Sequence, residues 1–465
     1  MPQHLLDSPG VVRPMWRLAI PVLGEQVLVM LVGFVDTGLT GRYLVGEAPL
    51  AAIGLMAYSL WLLPSMFAVV SIGATAVVAR HTGAREPGQA SQAMNQAILC
   101  GVVLAGFVMW VCAAGGDRYV TLMNLEGEAA DLARRYIQFL VPAIPAIMIQ
   151  TVGVACLRGA GDTVSGLVAM AIMNGVNVVV SISLVLGLGP VPHLGWDGLA
   201  IGTMVGQMVG ALIVLMLLIV GRAGLRLRAG SLRPNWNLSR RILRVGVPGG
   251  MDILAILACH MGFLSIINGL GTTAAAAHSL AIRIESIAYL PGAAFQVAAS
   301  TMAGQYLGAK DPKRAVQAVL ASLAAGGGLM ILAGLAFYFA GGPLTRLFTG
   351  SMTNQATELN IQLLKIAAYV TPSLAIQIII SGALRGAGDT RWPLVINLAG
   401  LLGIRIPMGI WLAVESFQLP LMDFTVSGMG WGAAGAWMAM LADVVVRSGL
   451  LSWRFAYGSW RKIEV

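Results

Sequence analysis

The chain reads as an all-α polytopic membrane protein, with twelve transmembrane helices in two pseudo-symmetric six-helix lobes. Three observations predict this. Its 465 residues are 57% hydrophobic and 11% charged, with a mean hydropathy of +0.81, where soluble domains carry roughly 25% charged residues. Apolar stretches of roughly 20 residues or more recur throughout, punctuated by Gly, Pro and short charged clusters. Finally, Leu157-Arg158-Gly159-Ala160-Gly161-Asp162-Thr163 returns letter for letter as Leu384-Arg385-Gly386-Ala387-Gly388-Asp389-Thr390. The offset, 385 − 158 = 227, is close to half the length and marks an internal duplication.

In order, the apolar segments fall at about 14–40, 48–79, 91–115, 133–157, 163–189, 196–221, 241–269, 274–307, 314–341, 358–384, 391–416 and 428–456. The first follows Arg13 and Arg17 but is too long for a signal peptide, so it is read as a retained helix. An even number of spans puts both termini on one side. Of the 29 Lys and Arg, 20 lie on that side, five on the other (Arg42, Arg118, Arg134, Arg135, Arg346) and four within spans. The positive-inside rule therefore predicts cytoplasmic termini in a multi-pass protein of the cell inner membrane. The net charge of +9 is thus a topology signal rather than a sign of nucleic-acid binding. Four cysteines, all in apolar stretches and without C-x-x-C spacing, point to buried thiols rather than disulfides or a metal site.

The halves are read as residues 1–221 and 241–465, joined by a basic cytoplasmic linker at 222–240. The 227-residue offset also matches Pro21 with Pro248, Glu25 with Asp252, Pro64 with Pro291, Pro145 with Pro372 and Gln150 with Gln377. Six spans per half give both halves one orientation, about an axis along the membrane normal, an arrangement that places a substrate path between lobes. Each heptapeptide reads as a short corner between helices. Its glycines permit a left-handed turn, its Asp-Thr caps the next helix, and its Arg answers the preceding helix's last carbonyls.

These residues, with Val35-Asp36-Thr37, Leu50-Ala-Ala-Ile-Gly54, Ala276-Ala-His278 and Gly304-Gln305…Leu307-Gly308-Ala309, resemble the multidrug and toxic compound extrusion (MATE) family over nearly the whole chain. The acid four residues after each helix-opening proline resembles the DinF-like or related prokaryotic branches. The resemblance implies a secondary antiporter of cationic or amphiphilic compounds, driven by H⁺ or Na⁺, with two lobes around a central cleft.

An ionisable group inside a span costs roughly 2.5–3.5 kcal/mol on insertion scales and by default marks function. Glu25, Asp36, Asp252, Glu285 and Asp443 are such groups. Asp36 leads, with no basic residue within one turn, and Glu25 lies about 16 Å away along nearly the same face of the first helix. The family's helix-1 aspartate falls on Asp36. Asn174, Asn177 and Ser181 share one face of the fifth span. The resemblance adds Asn177 and Thr203 to an ion or proton site, while Ser181 stands where several members carry a second acid. That departure weakens Na⁺ and suits a proton. The alternative for these side chains is interhelical hydrogen bonding, worth roughly 0.6 kcal/mol per contact. A second-lobe ion site known in another branch maps to Ile256 and Leu374, both apolar, and is not carried over. Asp252, the mate of Glu25, is read as gating, capping or a second-lobe site, and Glu285 likewise belongs to the second lobe. Arg283 and Glu285 need partners, which Arg405 and Asp443 are placed to supply. Tyr58, Met66, Met173 and Tyr289 are candidate cavity residues through ring faces and adaptable thioethers.

No nucleophile set, metal motif or nucleotide loop is readable, so the chain is not read as an enzyme and no cofactor is expected beyond the coupling ion. Its partners are the bilayer and small organic cations or amphiphiles, not nucleic acid, and a monomer is expected. Two rivals remain. A flippase for lipid-linked precursors needs a strongly cationic cavity. A non-transporting scaffold or sensor needs neither an acid in the first helix nor a two-lobe repeat.

Overall fold

The computed structural model describes residues 5–44, 46–123, 125–228, 230, 233–348, 354–418 and 425–463. In the first half lie α1 (Val12–Tyr43), α2 (Ala48–Met66), α3 (Ala68–Gly83), α4 (Pro87–Leu122), α5 (Gly127–Leu140), α6 (Ile144–Gly159), α7 (Val164–Leu186) and α8 (Trp196–Val220). The second holds α9 (Trp236–Gly269), α10 (Thr272–Gly308), α11 (Pro312–Phe348), α12 (Asn354–Gly386), α13 (Arg391–Gly400), α14 (Ile406–Ala413) and α15 (Gly432–Tyr457). Among the described residues these make twelve membrane-length segments, because α2–α3, α5–α6 and α13–α14 each form one crossing from two helices.

Each break has a local cause. Pro64 stands one turn before the α2–α3 joint at Phe67 and cannot donate to the ladder. Pro142 lies within the 3-10 turn Val141–Ala143 between α5 and α6, and Pro145 follows it in the first turn of α6. Between α13 and α14, Leu401–Arg405 widens into a π-helical turn, a distortion that often accompanies functional sites. Pro21, Pro248 and Pro372 lie inside α1, α9 and α12 without ending them. Two boundaries differ from the sequence reading. The eleventh segment stops at Ala413, and a small antiparallel hairpin, β1 (Ser416–Gln418) with β2 (Thr425–Ser427), precedes α15. Also, α9 starts at Trp236, inside the expected linker, because the Asn235 side chain accepts from Leu238 N (3.2 Å) and caps it. Linker residues 229, 231 and 232 lie outside the described chain. Cys156 and Cys259 are buried, Cys100 and Cys112 half-buried, and all four are free.

The heptapeptides form matched corners. In each, the second glycine is left-handed (Gly161 φ 88°, Gly388 φ 93°). The next amide donates back five residues, Asp162 to Leu157 (2.9 Å) and Asp389 to Leu384 (2.8 Å), the helix ending that suits glycine. Asp162 then caps α7 through Ser165 N (3.0 Å).

The halves meet at the face that carries these corners. Cα hydrogens of paired glycines touch the opposite backbone there. A Cβ on Gly83 would sit 2.0 Å from Gln305 O, and one on Gly308 would sit 2.1 Å from Arg80 O. Gly73 and Gly246 approach Ile242 O and Val69 O as closely. Side chains cross as well. Thr301 and Gln305 donate to Arg158 O (3.0 Å) and Gly159 O (2.8 Å), while Arg80 donates to Ala387 O (3.2 Å) and Ile463 O (2.8 Å). The start of α1 joins the second half's core, with Met15, Leu18, Ala19 and Val22 packed among Phe295, Ala299 and Met302. Beyond Gln26, by contrast, most of α1 up to Gly38 is only partly buried or exposed.

Gly83→Ala and Gly308→Ala are each expected to cost about 1–3 kcal/mol by overpacking this face, read as a lower thermal midpoint of the purified protein. Gly88→Ala, where nothing lies within 4 Å of the new Cβ, should stay within about 0.5 kcal/mol.

Candidate functional site

Asp36 sits in the more open part of α1 yet turns inward, 7% exposed. Its Oδ1 has no hydrogen-bond partner, and its charge reaches the buried Tyr136 hydroxyl of α5. Tyr136 Oη shares a hydrogen bond with Thr203 Oγ1 of α8 (2.9 Å), and Asn177 Nδ2 of α7 donates to the same oxygen (3.3 Å). Asn174 and Ser181 lie on the same α7 face and are buried. Asn174 Nδ2, Asn177 Oδ1 and Ser181 Oγ lack partners. Small residues on α8 make the approach possible: a Cβ on Gly202 would lie 2.0 Å from Ser181 Oγ, and one on Gly206 2.9 Å from Asn177 Cβ. The structure thus joins Asn177 to Thr203 and adds Tyr136, which no motif in the sequence singled out. A carboxyl group within electrostatic reach of a hydroxyl–amide cluster that keeps several unsatisfied buried atoms is chemically suited to exchange a proton or hold a small cation.

Glu25 does not extend this site. It is paired with Arg158 of the first heptapeptide, so the expected two-acid stripe on α1 is two separate environments. Asp252 repeats the arrangement, receiving Arg385 Nη2 (2.5 Å) and Asn397 Nδ2 (2.8 Å). The arginines read as helix caps therefore turn inward, because an acid buried at 0–1% exposure needs a counter-charge more than a solvated helix end does. The 227-residue spacing of both pairs was the signal. The heptapeptide acids pair too: Asp162 with Arg222 (2.7 Å) and Asp389 with Arg454 (2.7 Å).

In the second half, Asp443 bonds Arg405 (2.8 Å) and Arg447 (2.5 Å). The expected pairing of Asp443 with Arg283 does not occur, because Arg283 is exposed. The i, i+4 spacing of Asp443 and Arg447 announces the pair instead. Gly400 makes room for it, since a Cβ there would lie 2.4 Å from Asp443 Oδ1. Glu285 stands within electrostatic reach of Arg405. With His260 and Tyr289 the two line a cavity of about 120 Å³. His278 accepts from Trp437 Nε1 (3.1 Å) and is a packing residue.

The four residues expected to line one substrate cavity do not come together. Met66 lines an apolar pocket of about 200 Å³ with Ser59, Cys112 and Ile137. Met173 is buried, its sulfur accepting from Gln150 Nε2 (2.9 Å). Tyr58 is exposed, and Tyr289 belongs to the second-half cavity.

The MatE family model matches this chain twice, at residues 21–182 and 248–411, once in each half. A probable multidrug resistance protein NorM from Thermotoga maritima is 29% identical over 461 residues, spanning 99% of this chain and 95% of that protein. The multidrug resistance protein NorM of Burkholderia vietnamiensis is 28% identical, spanning 94% and 92%. Among solved structures, an outward-facing conformation of a multidrug resistance MATE family transporter of the MOP superfamily superposes with a TM-score of 0.88. It is 20% identical and covers 100% of this chain and 99% of its own. A MATE in the straight conformation gives 0.85 at 20% identity over 100% of both chains.

Breaking one member of a buried pair strands the other. Asp252→Ala is expected to destabilise the purified protein by about 3–5 kcal/mol, and the double change Asp252→Leu with Arg385→Met should recover most of that loss, measured by thermal unfolding.

Proposed function

The chain belongs to the MatE family of multi-pass inner-membrane transporters, and on that premise we propose that it exports cationic or amphiphilic organic compounds in exchange for protons entering the cell. The termini and heptapeptide corners are assigned to the cytoplasmic side, where the basic residues gather. The residues before the Arg222–Gly224 turn and those after Asn235 are assigned to two lobes that rock about the closed face.

One observation carries the coupling assignment. Every other acid buried to below one-tenth exposure either bonds an arginine or, for Glu285, faces one. Asp36 alone among the described buried acids has no such neighbour, and its charge instead reaches the Tyr136 hydroxyl, which is bonded in turn to Thr203. A carboxyl without a fixed counter-charge is free to trade a proton for an organic cation. When Asp36 is protonated, its attraction for a cation in the cleft disappears. The protonated carboxyl also gains an O–H donor, which alters its fit beside the α5 end of the cluster at the same moment. Substrate release and ion entry are thereby coupled. Tyr136, Asn174, Asn177, Ser181 and Thr203 set the environment of that switch. Glu25 and Asp252, already neutralised, are assigned to the architecture of the cytoplasmic end. A proton is favoured over Na⁺ because the cluster offers a single carboxylate. The partial exposure of α1 beyond Gln26 supports access to Asp36 from the outer side.

Asp36→Asn is expected to reach the membrane at normal levels and to lower energised dye efflux by about tenfold or more. Full efflux by that variant defeats the assignment. In vesicles, transport should persist in Na⁺-free medium and collapse when an ionophore dissipates the pH gradient. A strict requirement for Na⁺ defeats the choice of ion.

A further inference from the structure

One residue of the closed face carries a charge that no acid answers. Arg80, in the last turn of α3, gives its Nη2 to two carbonyls of the second half, Ala387 O (3.2 Å) and Ile463 O (2.8 Å). No carboxylate among the described residues pairs with it, and its Nε is buried without an acceptor. Its mate in the duplication is Gln305. The two are 225 residues apart (305 − 80), as are the neighbouring notch glycines (308 − 83). Gln305 makes the reciprocal contact, donating to Gly159 O in the first corner (2.8 Å). The closed face is thus locked crosswise, each half reaching the other's heptapeptide corner. One lock is a neutral amide and the other a guanidinium.

The guanidinium is the stronger of the two. A hydrogen bond from an ionised donor is roughly twice as strong as a neutral one. Ala387 directly follows α12, so its carbonyl stands at the negative end of that helix. Arg80 also holds a second acceptor, on the tail that follows α15. Gly458 turns left-handed there (φ 76°), and Ser459–Lys462 forms a 3-10 turn that brings Ile463 to Arg80. Trp460 roots this turn in the second half. It is fully buried, stacks on Phe455 (ring centroids 5.1 Å apart, planes at 14°) and donates its Nε1 to Phe455 O (2.9 Å). Ile463 packs at the edge of the same core.

We propose that Arg80 is the gating residue of this face and that the turn around Trp460 is its latch. The closed state is held by one guanidinium that grips a corner carbonyl and a tail carbonyl at once. Both are released when the halves part toward the cytoplasm. This deepens the rocking assigned above and rests on it. Gln305, Thr301 and the glycine notches align the face, while Arg80 sets how often it opens.

Accessibility from the cytoplasmic side tests this. Ser71 lines a cavity of about 190 Å³ between the halves, roughly 13 Å further into the molecule than Arg80 along α3. Ser71→Cys is made in a chain whose four native cysteines are replaced by alanine. The rate at which this thiol reacts with a membrane-impermeant maleimide, added outside everted vesicles, then reports opening of the face. Arg80→Gln, which copies the mate, is expected to raise that rate about tenfold. Trp460→Ala, which unroots the tail, is expected to raise it about threefold. Because the tail acts only through Arg80, the double variant should label no faster than Arg80→Gln alone. Effects that multiply in the double variant mean a general loosening and overturn the proposal. An unchanged rate in either single variant overturns it too, and each suffices where the other fails to insert. Transported dye should itself change the wild-type rate. If it does not, and no dye is exported, the rocking reading falls. If the wild type responds to dye and neither substitution moves its rate, only the role of Arg80 falls.

Discussion

A charge inside a bilayer has to be answered by another part of the protein, and here that requirement decides which helices touch. Glu25 and Asp252 sit near the middle of the helices that open each half. Each is met by the arginine that ends its half's fourth segment. The pairs fix the start of each half against its own heptapeptide corner. The corner acids are in turn bonded to Arg222 and Arg454, which lie at the close of α8 and α15. First, fourth and sixth segments are thus tied at one end by ion pairs. At the other end of the first half, Arg135 of α5 pairs with Asp197 of α8, beside the packed Tyr136, Trp196 and Leu199.

The interface between halves uses a different device. Glycines remove side chains so that backbones touch, and side-chain donors then reach carbonyls on the opposite half. Such contacts are short and directional, and they tolerate little sliding. They gather at one face, so the molecule is rigid there, while α1 is loosely covered further out. A helix clamped at its base and open above it is a suitable carrier for an acid whose environment is to change.

Much of this was legible in the sequence. Hydropathy and the offset of 227 specify the twelve segments and the order of the halves, because the physics involved is one-dimensional: a span has a length, and a repeat has a period. Asp36, Asn177 and Thr203 stand out because polar groups are rare in such spans. What escaped depends on three-dimensional neighbours. Tyr136 lies in a short amphipathic helix where nothing distinguishes it from a packing residue. Met173 and Tyr58 have suitable chemistry, but one is turned into the α6–α8 contact and the other toward the surface. Arg158 and Arg385 looked like helix caps because a local motif explains them. The acids they serve lie 133 residues earlier. The hairpin before α15 has only a few residues of alternating pattern, too short to outweigh its apolar surroundings.

The glycine notches carry a further consequence. Gly83 against Gln305 and Gly308 against Arg80 are the same contact read in both directions, as at the interface of a two-fold homodimer. Two separate copies would hold together only as strongly as their concentration allowed. A tether as short as the one between α8 and α9 raises the effective concentration of the partner toward the millimolar range. Fusion also frees the copies to diverge. In a true homodimer an acid at one first-helix position appears twice. Here the position 227 residues after Asp36 is Phe263, so a single chain can be symmetric in its scaffold and singular in its chemistry.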